Sequence, residues 1–283
     1  MKYTEIDFII QDEIAIIKFN RPEVMNCVGP NTHTELVSAW QEFKTNDQLK
    51  VAIITGAGDR AFCSGGDLKS AFEGGLIDLS EEEKQLHRDG KIDGILGPTR
   101  WTDIYKPIIA AVNGVAYAGG FEWACYADMR IVEEHASFGV TCRRWNIGLA
   151  DGGTQRLPRI IGMGRALELI ITGKVIDAQE AYRIGLANEV VPKGQSLSRA
   201  IEMAQFICTL PQPALRTDKE AAIRGYGESL DEGLRIEAEK FLDSIYAPET
   251  MEGLRQFNER LHPDRRYDAT TKTPGIVRRD TKA

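Results

Sequence analysis

The residue best suited to chemistry is Glu122, an acid inside a stretch of otherwise small and apolar residues. The stretch covers 107–130 and reads PIIAAVNGVAYAGGFEWACYADMR. Its apolar start predicts a buried strand, and the Gly119-Gly120 pair predicts a tight turn into a helix. Glu122 would then lie in the first turn of that helix, where a carboxylate is a candidate general acid or base.

A second glycine turn, Cys63-Ser64-Gly65-Gly66-Asp67, also follows a predicted buried strand. Where such a turn leads into a helix, free backbone N–H groups point outward at the positive end of the helix dipole. Two N–H groups aimed at one point form an oxyanion hole, which stabilises charge developing on a carbonyl oxygen. Together with Glu122, the two turns predict proton transfer at a carbon next to a thioester or similar acyl group.

The composition excludes several other classes of function. The chain has 283 residues and a net charge of −7. Its length and its apolar fraction of 42% are enough for a sizeable core. It has neither a basic run mixed with aromatic residues nor an apolar run of membrane length, so we expect no nucleic-acid partner and no membrane contact. Its five cysteines show no metal-binding spacing, so we expect no metal site. Cysteines that are odd in number and widely spaced, and an N-terminus without a signal or transit pattern, predict a cytoplasmic protein.

Strand and helix patterns alternate through the first two thirds of the chain, which predicts an α/β fold with parallel strands and crossover helices. The segments 56–67 and 137–151 are interpreted as loops, and 74–98 as a mobile loop with a helix near Ser80–His87, capped by Ser80 and Glu83. After about residue 195 only helical periodicity remains. We therefore predict an α/β core at 1–195, a helical region at 196–262 and a flexible tail at 263–283.

Four motifs in this order resemble those of the crotonase family, the enoyl-CoA hydratase/isomerase superfamily. They are AFCSGGDL (61–68), NGVAYAGGFEWACYADMRI (113–131), GLADGGTQRLPRIIG (148–162) and TGKVIDAQEAYRIGLANEVVP (172–192). The resemblance extends from about residue 10 to about residue 260. It implies a spiral of ββα repeats with a C-terminal helical trimerisation region, and a homotrimer or a hexamer of two trimers.

The resemblance also implies roles for single residues. The backbone N–H groups of Gly66 and Gly119 would form the oxyanion hole, and Glu122 matches the first of the two catalytic glutamates of the hydratases. The segment that would contact coenzyme A, which is part of the substrate and not a separate cofactor, contains Ser64, Asp67, Leu68 and Lys69. In particular, Lys69 lies where the family often has a basic residue near the phosphates.

The chain departs from the hydratase pattern at the second glutamate. An ungapped match places Cys142 there, and a loop two residues shorter places Arg144 there; neither is a carboxylate. Hydratases divide water addition between two carboxylates, whereas one base is enough to move a proton along an acyl chain. We therefore expect a hydratase or dehydratase first, a Δ3–Δ2 enoyl-CoA isomerase second, and a non-catalytic protein that binds CoA thioesters third.

Each of these residues also has a structural interpretation. For Glu122 it is the acid of a salt bridge to Arg143 or Arg144. Asp151 is either the N-cap of the helix predicted to begin at Gly152, or a second catalytic acid. The two arginines form a surface feature, or one of them, Arg144 being the candidate, recognises a polar or acidic acyl tail.

Overall fold

The computed structural model describes residues 3–73, 80–91 and 93–259. The predicted tail at 263–283 and part of the loop predicted at 74–98 lie outside these ranges. The described chain divides into two units. The first contains Met1–Thr102 and Ile108–Ile201, and the second contains Asp103–Pro107 and the chain from Glu202 onward.

Ten strands and eleven α-helices are found in the described residues. The strands are β1 (Ile6–Gln11), β2 (Ile14–Phe19), β3 (Val51–Gly56), β4 (Ala61–Cys63), β5 (Ile108–Val112), β6 (Val115–Tyr117), β7 (Met129–Glu133), β8 (Ser137–Gly139), β9 (Val175–Asp177) and β10 (Glu189–Val191). The helices are α1 (Pro30–Thr45), α2 (Leu68–Phe72), α3 (Glu81–Arg88), α4 (Gly119–Tyr126), α5 (Gly153–Ile161), α6 (Met163–Thr172), α7 (Ala178–Arg183), α8 (Ser196–Cys208), α9 (Gln212–Gly225), α10 (Leu230–Ile245) and α11 (Pro248–Asn258).

The first unit contains two sheets. One has six strands in the order β1-β2-β3-β5-β7-β10, antiparallel only between β1 and β2. The other has four strands in the order β4-β6-β8-β9, parallel except between β8 and β9. Three consecutive ββα units, namely β3-β4-α2, β5-β6-α4 and β7-β8-α5, each contribute one strand to each sheet. The expected ββα architecture is therefore present, and each unit returns the chain to the same pair of sheets.

The second sheet corrects the sequence interpretation. Both segments predicted as loops contain strands, β4 within 56–67 and β8 within 137–151. Each strand of this sheet has three residues, which is too short to show an alternating pattern. Because turn-forming residues flank these strands, the sequence predicts loops there. These short strands matter because β4 and β6 deliver the chain directly into the two glycine turns.

Aromatic side chains in the first unit's core fix the position of α4. Every residue of α4 is buried. Its Trp123 stacks on Trp40 of α1, with ring centroids 5.7 Å apart, and meets Phe19 of β2 edge to face at 5.7 Å. Burial of aromatic rings of this size stabilises the core strongly, so the rotation of α4 about its axis is well determined. The residue before Trp123 is Glu122, whose orientation follows from that rotation.

The helix predicted near Ser80–His87 begins at the predicted cap. Ser80 accepts a hydrogen bond from the Glu83 amide at 3.2 Å, and Glu83 accepts one from the Ser80 amide at 2.8 Å, which is the expected capping box of α3. In the second unit, Ser229 caps α10 and Pro248 occupies the first turn of α11. No described helix is both long enough and apolar enough to cross a membrane.

Candidate active site

The two glycine turns lie against each other. A methyl group added at Gly65 would be 3.0 Å from the Gly119 amide nitrogen and 3.0 Å from the Ala118 Cβ. Gly65 has a φ of +99°, and Ala118, which precedes α4, has a φ of +50°. Such angles are uncommon for a residue with a side chain, so the second turn contains a strained residue where it meets the first.

The Gly66 and Gly119 amides are available to a ligand. Among the hydrogen bonds of the described residues, none has either of these N–H groups as its donor. Neighbouring groups are used: the Ser64 amide donates to the Met25 carbonyl at 3.1 Å, and the Asp67 amide donates to the Val28 carbonyl at 2.9 Å. The first turn is thus held in place on both sides of Gly66 while the Gly66 amide stays unused. An oxyanion hole requires backbone amides that are unused in this way.

Glu122 is buried, with 3% of its surface exposed, and it is held by the backbone before α5. Its Oε1 accepts hydrogen bonds from the Asp151 amide at 2.9 Å and the Gly153 amide at 2.8 Å. A methyl group at Gly153 would be 2.8 Å from the Glu122 Cγ, so the close approach depends on glycine. These bonds to Oε1, with a further backbone hydrogen bond from Ala150, fix the carboxyl group.

The surroundings of Glu122 bring its protonation toward neutral pH. Burial, and next the negative charge of Asp151, raise its pKa from 4.5 to about 7, against the opposing hydrogen bonds from Gly153 and Asp151. Burial likewise raises the pKa of Asp151, while hydrogen bonds from Thr99 and Leu96 oppose that shift. A carboxyl group with a pKa near 7 exchanges protons efficiently under physiological conditions.

Asp151 is not the helix cap that one interpretation predicted. The N-cap of α5 is Gly152, with a φ of +98° and no side-chain cap, because the chain turns through a left-handed residue there. The Asp151 Oδ1 instead accepts hydrogen bonds from the Leu96 amide at 2.9 Å and the Thr99 hydroxyl at 2.5 Å. Asp151 is therefore a buried link between the segment around Leu96 and the loop that holds Glu122.

The salt-bridge interpretation of Glu122 also fails. In the described parts of the chain, neither Arg143 nor Arg144 forms an ion pair with Glu122. Arg143 donates through Nε to the Ile170 carbonyl at 3.1 Å, and Arg144 is exposed. Cys142 is buried, and its thiol pKa is raised by burial and then by the charge of Glu122. The position matched to the second glutamate without a gap is thus occupied by a neutral thiol in the electrostatic reach of Glu122.

The residues expected to contact coenzyme A have different surroundings. Leu68 and Lys69 are exposed on α2, and Ser64 is half-buried. Asp67 is already engaged: it caps α2 by accepting from the Ser70 amide at 3.3 Å and pairs with Arg21 at 3.0 Å. Arg21, followed by the Ser70 amide, holds the pKa of Asp67 below its usual value despite partial burial. Asp67 therefore stabilises the turn itself.

Three residues of this region escaped the sequence analysis. Leu96 and Thr99 lie in an irregular segment without periodicity, and Trp123 reads as an ordinary core residue. The Trp123 Nε1 donates to the Leu96 carbonyl at 3.1 Å. Asn113 did have a signal in the sequence, because it is a polar residue directly after a buried strand. Its Oδ1 accepts a hydrogen bond from the Gly56 amide, and its Nδ2 donates one to the Gly56 carbonyl, at the end of β3. Within the described residues there is no cluster of side chains suited to a metal ion.

Comparison with protein families gives a match over nearly the whole chain. The family model described as Enoyl-CoA hydratase/isomerase matches residues 9–266. A crotonyl-CoA hydratase of Syntrophomonas wolfei subsp. wolfei is 35% identical over 263 residues, which cover 92% of this chain and 97% of the relative. A short-chain-enoyl-CoA hydratase of Clostridium acetobutylicum is 34% identical, with 88% and 93% covered.

Solved structures agree with the sequence comparison. The crystal structure of an enoyl-CoA hydratase from Bacillus anthracis superposes with a TM-score of 0.80 at 34% identity, covering 91% of this chain and 97% of that one. One from Geobacillus kaustophilus has a TM-score of 0.82 at 31% identity, with 95% and 100% covered. The similarity therefore includes both sheets and the C-terminal helices.

Proposed function

The chain belongs to the enoyl-CoA hydratase/isomerase family, and on that premise we propose that it adds or removes water at the α,β-position of an acyl-CoA thioester. The observation that carries the proposal is Glu122: a buried carboxylate whose pKa is raised to about 7, in the first turn of the helix that begins at the unused Gly119 amide. A protein that only binds a thioester has no need of an acid tuned in this way.

The proposed oxyanion hole consists of the Gly66 and Gly119 amides. Both would donate to the thioester oxygen, and Gly119 is in addition the first residue of α4, at the positive end of the helix dipole. Their hydrogen bonds strengthen as the oxygen gains charge, so they stabilise the enolate more than the substrate.

Glu122 alone can carry both proton transfers of hydration. As a carboxylate it takes a proton from water while the hydroxyl oxygen bonds to Cβ and the double-bond electrons move onto the thioester oxygen. The protonated Glu122 then delivers that proton to Cα, the thioester carbonyl re-forms, and the product is a 3-hydroxyacyl thioester. In dehydration the carboxylate removes the α-proton first and returns it to the departing hydroxyl group.

The ionised form of Glu122 begins the reaction in both directions, which predicts a specific pH dependence. We expect kcat/KM to rise with pH through about 7, because burial and Asp151 raise the Glu122 pKa to about 7.

The contribution of Glu122 to folding stability should change with pH in the opposite direction. The folded protein binds the proton more tightly than the unfolded chain, so stability falls as pH rises from about 4.5 to about 7. Chemical unfolding of the wild-type protein and of Glu122→Gln across this pH range measures this loss of folding stability.

The direct test is Glu122→Gln, which keeps the shape of the side chain and removes the proton acceptor. Losing one acid–base group typically lowers turnover by roughly 10²–10⁴-fold. Activity is measured with crotonyl-CoA, a 3-enoyl-CoA and a 3-hydroxyacyl-CoA. Full turnover by the variant would exclude Glu122 as the base, and a wild-type protein that binds these thioesters without converting any of them would be a binding protein.

Isomerisation is the second candidate, and Cys142 is the observation that favours it. A neutral thiol at this position leaves no second carboxylate to assist water, whereas Glu122 alone can move a proton between the α- and γ-carbons. Faster conversion of the 3-enoyl-CoA than of crotonyl-CoA by the wild-type protein would identify an isomerase.

Coenzyme A enters this proposal as part of the substrate. Ser64 lies between β4 and Gly66, Leu68 and Lys69 begin α2 after the turn, and the ammonium group of Lys69 suits a phosphate. Asp67 supports the same turn through Arg21. Arg144 is the candidate for an acidic acyl tail; loss of a preference for such substrates in Arg144→Ala would support that role.

The second unit is proposed to mediate assembly into a homotrimer or a hexamer. Its helices expose large apolar side chains, and exposed apolar surface of this kind marks association sites. They include Phe241, Leu242, Tyr246, Met251, Leu254 and Phe257. Light scattering during size-exclusion chromatography measures the assembly directly.

A further inference from the structure

The Leu96 side chain lies against both glycines of the proposed oxyanion hole. A methyl group at Gly119 would be 1.8 Å from the Leu96 Cδ1, and one at Gly66 would be 3.5 Å from the Leu96 Cδ2. Leu96 is 4% exposed. One methyl group of Leu96 therefore lies beside Gly119 and the other beside Gly66.

The main chain of Leu96 is held at both of its polar groups. Its amide donates to the Asp151 Oδ1 at 2.9 Å, and its carbonyl accepts from the Trp123 Nε1 at 3.1 Å. The Thr99 hydroxyl donates to the same Asp151 oxygen at 2.5 Å. Since Trp123 is fixed in the aromatic core and Asp151 is buried, Leu96 is tied to two rigid parts of the first unit.

The residues around Leu96 add further constraints. The Ile95 carbonyl lies 3.1 Å from the His33 Nδ1, and the Trp101 Nε1 donates to Asp93 at 2.6 Å. A methyl group at Gly94 would overlap the Thr99 hydroxyl and the Asp151 carboxylate. Hydrogen bonds to α1, to α4 and to the residue before Gly152 thus hold this short segment, whose only helix is the single 3-10 turn at Pro98–Arg100.

A rigid apolar side chain at this place has a consequence for the substrate. An acyl oxygen within hydrogen-bond distance of both amides puts its carbonyl carbon, and the α-carbon bonded to it, beside the same two glycines. Those atoms would then contact the methyl groups of Leu96. Because packed side chains yield little, an extra methyl group on the α-carbon would have to displace Leu96 or leave the amides.

Resting on the proposed function, we propose that Leu96 is a specificity-determining residue that restricts the substrates to acyl-CoA thioesters unbranched at the α-carbon, and that Asp151 positions it. In this role Asp151 acts as a hydrogen-bond acceptor for the Leu96 amide and the Thr99 hydroxyl. It does not need to exchange a proton with the substrate.

The first experiment compares crotonyl-CoA with 2-methylcrotonyl-CoA, which differ by one methyl group on the α-carbon. A methyl or methylene group in a shaped pocket changes kcat/KM by roughly 10–200-fold, so we expect the wild-type protein to prefer crotonyl-CoA by at least about 10-fold. In Leu96→Ala the preference should fall by about 10-fold, chiefly because 2-methylcrotonyl-CoA improves. Leu96→Val, a smaller truncation, should move the ratio in the same direction and covers the case in which the alanine variant does not fold.

The matched control is Leu49→Ala. Leu49 is 1% exposed and lies in the connection between α1 and β3. Its truncation should lower thermal stability much as Leu96→Ala does, without changing the substrate ratio. An unchanged ratio in both Leu96 variants, or an equal change in the Leu49 control, would overturn the assignment.

Binding of saturated thioesters separates this inference from the proposed function. Calorimetry with butyryl-CoA and isobutyryl-CoA reads the same α-branch discrimination without any turnover. A wild-type protein that converts neither enoyl-CoA would contradict the proposed reaction. If that protein still binds butyryl-CoA more tightly than isobutyryl-CoA, and Leu96→Ala binds both equally, the role of Leu96 is supported all the same. Equal affinity of the wild-type protein for both ligands would contradict the role of Leu96 itself.

Asp151→Asn tests the positioning role. The amide oxygen of asparagine can still accept from Leu96 and Thr99, so the variant should retain the substrate preference, whereas Asp151→Ala should lose it. Removing the negative charge should also move the rise of kcat/KM to lower pH, since Asp151 raises the Glu122 pKa. Equal loss of turnover in both variants would show instead that the Asp151 carboxylate is needed for catalysis.

Discussion

The turn after β4 and the turn before α4 look alike in sequence, since each contains a pair of glycines, but they use glycine for different reasons. In the first, Gly65 has a φ of +99°, which a residue with a side chain adopts only under strain, while a methyl group at Gly66 would make only ordinary van der Waals contact. In the second, neither Gly119 nor Gly120 has a positive φ; the strained angle belongs to Ala118.

Crowding explains the glycines of the second turn. A methyl group at Gly120 would lie 1.9 Å from the Cys63 carbonyl oxygen, and one at Gly119 would meet Leu96. One turn therefore needs glycine for its backbone angle and the other for close approach of neighbouring atoms. A glycine pair in a sequence thus predicts a turn without revealing which of its residues tolerates a side chain.

Gly120→Ala should have the largest effect on stability. The new methyl group overlaps a backbone carbonyl, which cannot move aside as a side chain can, so we expect a loss of about 3 kcal/mol or more. Urea unfolding measures it. Gly164→Ala is the control: this exposed helix residue has nothing within 4 Å, and alanine there should stabilise α6 by about 0.5–1 kcal/mol. A Gly120→Ala protein as stable as the wild type would contradict the crowding argument.

Gly65→Ala should have an intermediate effect. The positive φ costs of order 1–3 kcal/mol for a residue with a side chain, and the new methyl group would press on Ala118 and the Gly119 amide. Activity should fall with stability, because the Gly119 amide is displaced. Adding Ala118→Gly removes one of the crowding atoms and should restore part of both losses. If the double variant gains nothing over Gly65→Ala, the two turns do not constrain each other as the contacts indicate.

Gly66→Ala should have the smallest effect. Its nearest neighbour, the Leu96 Cδ2, would lie 3.5 Å from the new methyl group, which is ordinary van der Waals contact. We expect a change in the free energy of unfolding of less than about 1 kcal/mol, with the amide still able to donate. A larger loss in the same urea experiment would show that Gly66, like Gly120, is required for close packing.

The prediction of the fold succeeded where the pattern was long. The hairpin β1–β2 and the parallel strands β3 and β5 are runs of β-branched and apolar residues, and α1 has a clear helical period. The second sheet was missed because strands of three residues show no periodicity. Its stability comes from hydrogen bonds to neighbouring strands, which are distant in sequence, as β4 and β6 are.

The sequence likewise predicted some residues of the candidate site and not others. Glu122 and the two glycine turns stand out by residue type, since an acid in an apolar helix and paired glycines after strands are uncommon. Leu96 and Thr99 have no such signal, and Asp151 resembled a helix cap. Their positions depend on contacts between residues more than 50 apart in the chain, such as the bond from the Leu96 amide to Asp151.

The sequence by itself determined that the chain is an α/β protein of the crotonase type with one acid beside two glycine turns. These features follow from local residue types and from motifs in a fixed order. Only the tertiary structure decided that Asp151 accepts hydrogen bonds from the segment of Leu96, that Glu122 is held by backbone amides, and that its pKa is near 7. Burial and long-range hydrogen bonding set these properties, and both depend on which distant residues the fold brings together.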